Sequence, residues 1–230
     1  MDIFFLISAH IFQVVIWPPT RLFLWFFGHL EVKGLENLTN LPKDKGVIFA
    51  SNHSSELDPF ITPASLPFMS RFIPLYYTIR EKSFYDGGSV RQKFYGGFIF
   101  RFIGGHYVYT GLKDYDKSLV NHIRLLKENK NIFVFPEGGI SRIGKPKEAK
   151  GGIVYLAEKG NTLIIPVGIS GLYGATMVDI LLRKRRIIVT FGMPISQQEL
   201  KLAVPREEDG NVNIYKDEAQ YVMSKIGAII

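Results

Sequence analysis

The sequence predicts an α/β fold: a largely parallel central sheet flanked by helices, with an N-terminal membrane-associated helical hairpin ahead of it. Three observations predict it: short runs that are apolar, β-branched or aromatic, amphipathic stretches alternating with them, and a beginning almost free of charge. Strands buried on both faces read as near-continuous apolar runs, and strands that alternate with helices pair in parallel. The 230 residues suffice for one sizeable core and are few for two domains.

The first element is residues 1–30, set apart from an α/β domain over 31–230. Between Ile3 and Leu30 there is no acidic residue and one basic residue, Arg21, while both tryptophans (Trp17, Trp25) and six phenylalanines fall there. Pro18-Pro19 predicts two short helices with a bend, because proline lacks a donor N–H and disfavours helix at the residue before it. A helix over 3–17 would reach ~22 Å at about 1.5 Å per residue, short of the roughly 30 Å hydrocarbon core. The expectation is a hairpin dipped into one leaflet, monotopic or re-entrant, with Trp17, Trp25 and Arg21 at headgroup level. A core hairpin packed on the domain is the alternative. Met1-Asp2 brings no positive n-region, so a signal peptide is not expected.

Strands are expected at 46–50, 72–77, 107–109, 132–135, 163–165 and 187–191, each short and almost wholly apolar. Helices are expected at 114–128, with Leu119, Val120, Ile123 and Leu126 on one face, and at 152–158, with Ile153, Val154, Leu156 and Ala157. A polar loop over 206–213 then leads to a last helix near 215–226.

Composition limits the chemistry. Hydrophobic residues at 47% and charged ones at 21% exclude a disordered chain. With no cysteine, disulfides, thiolate catalysis, zinc-cysteine sites and iron-sulfur clusters drop out, and no metal ligand set is assigned. Net charge of +7 and a pI near 9.4 favour an anionic partner. Neither Gly-x4-Gly-Lys-Ser/Thr nor Gly-x-Gly-x2-Gly occurs, which ranks a nucleotide enzyme low.

Three constellations remain. In Asn52-His53-Ser54-Ser55-Glu56-Leu57-Asp58-Pro59, His53 follows a strand, and Asp58 precedes the proline of a helix start. The spacing suits a histidine base held by a carboxylate, and equally a loop histidine beside an aspartate that only caps a helix. Phe135-Pro136-Glu137-Gly138-Gly139 follows the most apolar strand and leads into Arg142, Lys145, Lys147 and Lys150, which fits a phosphate site or a glycine turn before a solvated basic loop. Ile164-Ile165-Pro166-Val167-Gly168 places a proline in a strand, a position expected at an edge or at a strand end bordering a site.

In this order the three blocks, with Val32-Lys33-Gly34 before them and Phe191-Gly192-Met193-Pro194-Ile195 after, resemble the glycerolipid (lysophospholipid) acyltransferase family, which contains 1-acyl-sn-glycerol-3-phosphate acyltransferase. The resemblance implies that His53 is the general base and Asp58 orients it, that Glu137 and Gly138 help bind the acceptor's phosphate, and that Pro166 lies near the acyl donor. It also implies direct transfer, without an acyl-enzyme on Ser54 or Ser55. Two arginines of the family pattern are absent: Thr110 and Ile140 stand at their positions, leaving Arg142, Lys145, Lys147 or Lys150 as replacements, or a different acceptor. His106, in the stretch Gly104-Gly105-His106-Tyr107-Val108-Tyr109-Thr110-Gly111, reads as a site residue or as part of an aromatic cluster, and His10, His29 and His122 receive no chemistry.

The expected function is a membrane-associated O-acyltransferase acting on a lysophospholipid, most simply 1-acyl-glycerol-3-phosphate. Acyl-CoA or acyl carrier protein would be co-substrate, no cofactor would be needed, and the partner would be an anionic membrane surface, probed by Arg183-Lys184-Arg185-Arg186, on the cytoplasmic face. Substrate-binding residues would be Glu137, Gly138, Arg142, Lys150, Thr110 and Pro166. A non-catalytic lipid-binding protein on the same fold is the alternative. Nucleic acid, suggested by charge alone, is not expected as a partner.

Overall fold

A computed structural model describes residues 3–81, 98–141, 147–205 and 214–230. The strands are β1 (Glu31–Lys33), β2 (Ile48–Ser51), β3 (Leu75–Arg80), β4 (Gly105–Val108), β5 (Asn131–Val134), β6 (Ile164–Ser170) and β7 (Ile188–Phe191). The helices are α1 (Ile3–Gly28), α2 (Asp58–Ser65), α3 (Phe100–Phe102), α4 (Tyr115–Ser118), α5 (Val120–Lys127), α6 (Gly152–Gly160), α7 (Met177–Leu181), α8 (Gln197–Ala203) and α9 (Ile214–Gly227), with a 3-10 turn at Leu35–Leu38. The expected loop over 206–213 lies outside the described residues, as do Arg142 and Lys145.

The seven strands form one sheet in the order β1-β7-β6-β2-β5-β3-β4. From β6 to β4 every pairing is parallel, and β7 alone pairs antiparallel, with β6. The largely parallel sheet is therefore observed. Alternation along β2 and β5 sends Ile48, Ala50 and Ile132 to one face and Phe49 and Phe133 to the other. The first face packs on α5, α6 and α9, and the second on α2, α7 and the latter part of α1. Such two-sided burial makes the strands read as unbroken apolar runs.

The N-terminus corrects one expectation. Instead of two helices with a bend, α1 is one 26-residue helix that continues through Pro18 and Pro19. Bonds to the domain on both sides of the prolines hold it in register: Gln13 donates to the Leu75 and Ile103 carbonyls at 2.7 and 3.1 Å and accepts from Leu75 N at 2.8 Å. Trp17 Nε1, just before the prolines, donates to Leu66 O at 3.0 Å, and Arg21, beyond them, donates to Ala64 O at 3.1 Å. Tertiary bonds thus offset what the prolines remove. By length and composition α1 is long and apolar enough to cross a membrane. It is nevertheless docked along one face, while Ile3, Phe4, Ile7, Ile11, Val15, Leu22 and Trp25 are exposed on the other.

A second correction concerns Pro166, which sits within an interior strand. Gly192 N donates to Pro166 O at 2.8 Å, between the Val167–Phe191 pair that ends the ladder to β7 and a separate bridge from Ile164 to Ile195. The missing N–H falls where pairing stops, so an interior strand tolerates it.

Two histidines are buried against each other, His106 on β4 and His122 on α5. His106 lies edge-on to Tyr76, with ring centres 5.6 Å apart, and 6.2 Å from His122, which is wholly buried. Burial lowers the pKa of His106 from 6.5 to about 4, helped by Arg101, and that of His122 to about 3. Both rings are held neutral in the fold, so below 6.5 the unfolded chain binds more protons, and stability present above that pH is lost as pH falls toward 4. At about 1.4 kcal/mol per pH unit, each ring is expected to remove about 2 kcal/mol between pH 8 and pH 5. Urea unfolding at the two pH values measures this, and His106→Phe should remove about half of the difference.

Candidate active site

The carboxyl ends of β2, β5, β3 and β4 meet along one edge of the sheet, which is where an open α/β sheet leaves a crevice. A cleft of about 1060 Å³ opens there, lined among others by His53, Arg80, Thr110, Phe135, Gly138 and Lys150.

Asn52 fixes where β2 ends. Its Nδ2 donates to Ile169 O and its Oδ1 accepts from Ile169 N, both at 2.8 Å, so the side chain continues the ladder to β6 after the backbone has turned away. His53 follows immediately. Its Nδ1 lies 2.9 Å from Asp58 Oδ2, and the same oxygen accepts from Ser54 N at 2.8 Å and Ser55 N at 2.9 Å. Asp58 is fully buried.

Asp58 does not act as the helix cap that the spacing also allowed. It is the first residue of α2, no side-chain cap bond is made there, and its carboxylate turns back onto the loop and the ring. The imidazole plane is set from its other side by Phe135, stacked at 3.8 Å and 11°. With Nδ1 occupied, Nε2 is the ring nitrogen left for an incoming proton.

Glu137 braces the same loop. Its Oε1 accepts from His53 N at 3.0 Å and its Oε2 from Lys147 N at 2.7 Å, while Ser141 N donates to His53 O at 2.7 Å. Both carboxylate oxygens therefore hold backbone. Gly138 adopts φ of 67°, and a Cβ there would lie 2.8 Å from Lys150 Cε and Nζ, so glycine lets the ammonium stem cross the turn. Arg80 also reaches the turn and donates to Gly138 O at 3.3 Å.

Sequence reasoning missed Arg80 because it placed the strand three residues too early. Pro74 has no N–H to donate, so pairing with β5 begins at Leu75, opposite Asn131, and the strand runs on to Arg80 at the cleft. A strand shifted to 75–80 would have identified it as the residue at the carboxyl end. Phe135, the first residue of the Phe135–Gly139 block, carries no sequence signal that its ring stacks on His53.

The remaining expected site residues are distributed as follows. Thr110 lies at the cleft, where its hydroxyl donates to Glu81 Oε1 at 2.6 Å. Lys150 lines the cleft beside Gly138. Pro166, buried opposite Ala50, is not among the described lining residues. His106, on β4, is in a buried cluster with Tyr76 and His122.

The acyltransferase family model matches residues 29–170, and the chain belongs to that family. It is 26% identical over 159 residues to 1-acyl-sn-glycerol-3-phosphate acyltransferase of Borreliella burgdorferi, a match covering 64% of this chain and 54% of that protein. The chain thus spans about half the length of that curated relative. The crystal structure of the 1-acyl-sn-glycerophosphate (LPA) acyltransferase, PlsC, from Thermotoga maritima has the same fold, with a TM-score of 0.57 at 20% identity over 90% of this chain and 73% of that one.

Asn52→Ala leaves Ile169 with buried, unmatched backbone groups and frees the start of the His53 loop. The expected loss is about 1–3 kcal/mol of stability, measured by urea unfolding.

Proposed function

We propose that this chain is a membrane-associated O-acyltransferase. It moves a fatty acyl chain from acyl-CoA or acyl carrier protein to the free hydroxyl of a lysophospholipid, 1-acyl-glycerol-3-phosphate before others, giving phosphatidic acid. The observation that carries the proposal is the pairing of His53 with a buried Asp58 at 2.9 Å, in a cleft of about 1060 Å³.

In this mechanism His53 Nε2 takes the proton of the acceptor hydroxyl as its oxygen attacks the thioester carbonyl. The tetrahedral intermediate collapses, the C–S bond breaks, and the imidazolium returns the proton to the departing thiolate. Asp58 keeps the Nδ1 proton in place and stabilises the imidazolium. Arg80, Lys150 and the Gly138 turn would face the acceptor's phosphate, doing together what the family's two arginines would do. The outer face of α1 would lie in the cytoplasmic leaflet while its inner face stays docked on the domain.

A second acceptor is favoured by one observation. Where the family has an arginine, Thr110 is bonded to a carboxylate, Glu81, which suits a lysolipid whose headgroup carries more than a bare phosphate.

In a thiol-release assay on liposomes, His53→Ala should lower kcat by about 10²–10⁴-fold, with Asp58→Asn changing it in the same direction. Equal turnover by wild type and His53→Ala would overturn the mechanism. Arg80→Ala should raise KM for a phosphate-bearing acceptor by about 10–100-fold and change KM for an uncharged acceptor little. A screen of acceptors with defined headgroups separates the two readings.

A further inference from the structure

The face beside the C-terminal end of α1 carries features that acyl transfer does not use. α7 begins at a capping box: Asp179 N donates to Thr176 Oγ1 at 3.1 Å, and Thr176 N donates to Asp179 Oδ2 at 2.9 Å. Ile180 points into the core and is 1% exposed. Met177, Val178, Leu181 and Leu182, spaced along the opposite face, are 49%, 60%, 46% and 59% exposed. A helix so short with a bare aliphatic face is unusual on a surface that meets only water.

Directly after it comes Arg183-Lys184-Arg185-Arg186. The Arg183 guanidinium lies 4.9 Å over the Phe26 ring, and its Nε donates to His29 Nε2 at 3.3 Å, which joins this turn to the end of α1. Trp25, itself 63% exposed, and the four cations line an open groove of about 590 Å³. Two acids answer the four cations: Glu31 pairs with Arg186 at 2.6 Å and Asp179 with Arg185 at 3.8 Å. The groove stays net positive.

We infer that α7 and the Arg183–Arg186 turn form a second membrane-contacting element, for a bilayer that contains anionic lipid. The four aliphatic side chains enter the acyl layer and the basic groove takes lipid phosphates. The inference rests on the membrane association proposed above. Two observations select a bilayer as the occupant: the aliphatic face leads directly into Arg183, which lies over Phe26 of α1 next to the exposed Trp25, and cations border it where headgroups would lie. A single helix lying in an interface leaves the domain free to roll about the helix axis. A second contact beside it removes that freedom, which matters because Pro59, Phe60, Tyr77 and Ile103 line both the α1–α2 crevice and the catalytic cleft.

Vesicle partition tests this. With vesicles of mixed phosphatidylglycerol and phosphatidylcholine, Arg183→Ala/Lys184→Ala should weaken partition by about fivefold per cation, and with phosphatidylcholine alone it should change little. Val178→Asp/Leu181→Asp should weaken partition to both. Because the chain has no cysteine, Leu182→Cys carrying an environment-sensitive fluorophore reports insertion directly, and its emission should shift to the blue only when vesicles are added. If these variants partition as wild type does and the fluorophore stays in water, while Ile7→Asp/Ile11→Asp abolishes binding, the second contact is overturned and membrane association stands. If the wild type itself binds no vesicles, both fall. A blue shift without vesicles would indicate a protein contact and overturn the bilayer as occupant.

Discussion

A carboxylate removed from water needs donors, and the site is organised around how Asp58 finds them. Three converge on its Oδ2: the His53 ring and the backbone N–H groups of Ser54 and Ser55. All three belong to the loop that carries the histidine. The same bonds that satisfy the buried oxygen therefore set the loop's path and the ring's orientation. Removing one partner of such a set leaves a buried polar group unmatched, which destabilises far more than the net worth of a single bond.

Around that pair the sheet supplies rigidity from both sides. Asn52 ties the end of β2 to β6, and Glu137 ties the His53 loop to the residues after β5. Phe135 closes the ring against its flat face. The chemistry stands on a loop, yet each residue of the loop from 52 to 55 is held by a group outside it or by Asp58. The general base proposed for His53 would gain from this, because small displacements of reacting groups slow a reaction steeply.

α1 illustrates how tertiary contacts override local preference. Two adjacent prolines predict a break, but Gln13, Trp17 and Arg21 each bond to backbone groups of the domain, and the helix continues. Pro166 is a similar case. Its position in an interior strand is tolerable only because β7 stops pairing at Phe191, a boundary about twenty-five residues away in sequence. Arg80 reaches the cleft through the start of β3, which is set by its pairing with Asn131.

What the sequence alone determined was the kind of each part: apolar runs that had to be buried strands, an almost uncharged and strongly apolar beginning, and the His53–Asp58 spacing with the ordered blocks of the acyltransferase family behind it. These are local patterns, and hydrophobic periodicity and residue chemistry act over a few positions. Tertiary structure decided the direction of the Asp58 carboxylate, the continuity of α1, the interior place of Pro166, and the arrival of Arg80 beside Gly138. Each depends on a partner far along the chain, whose position only the packed fold supplies.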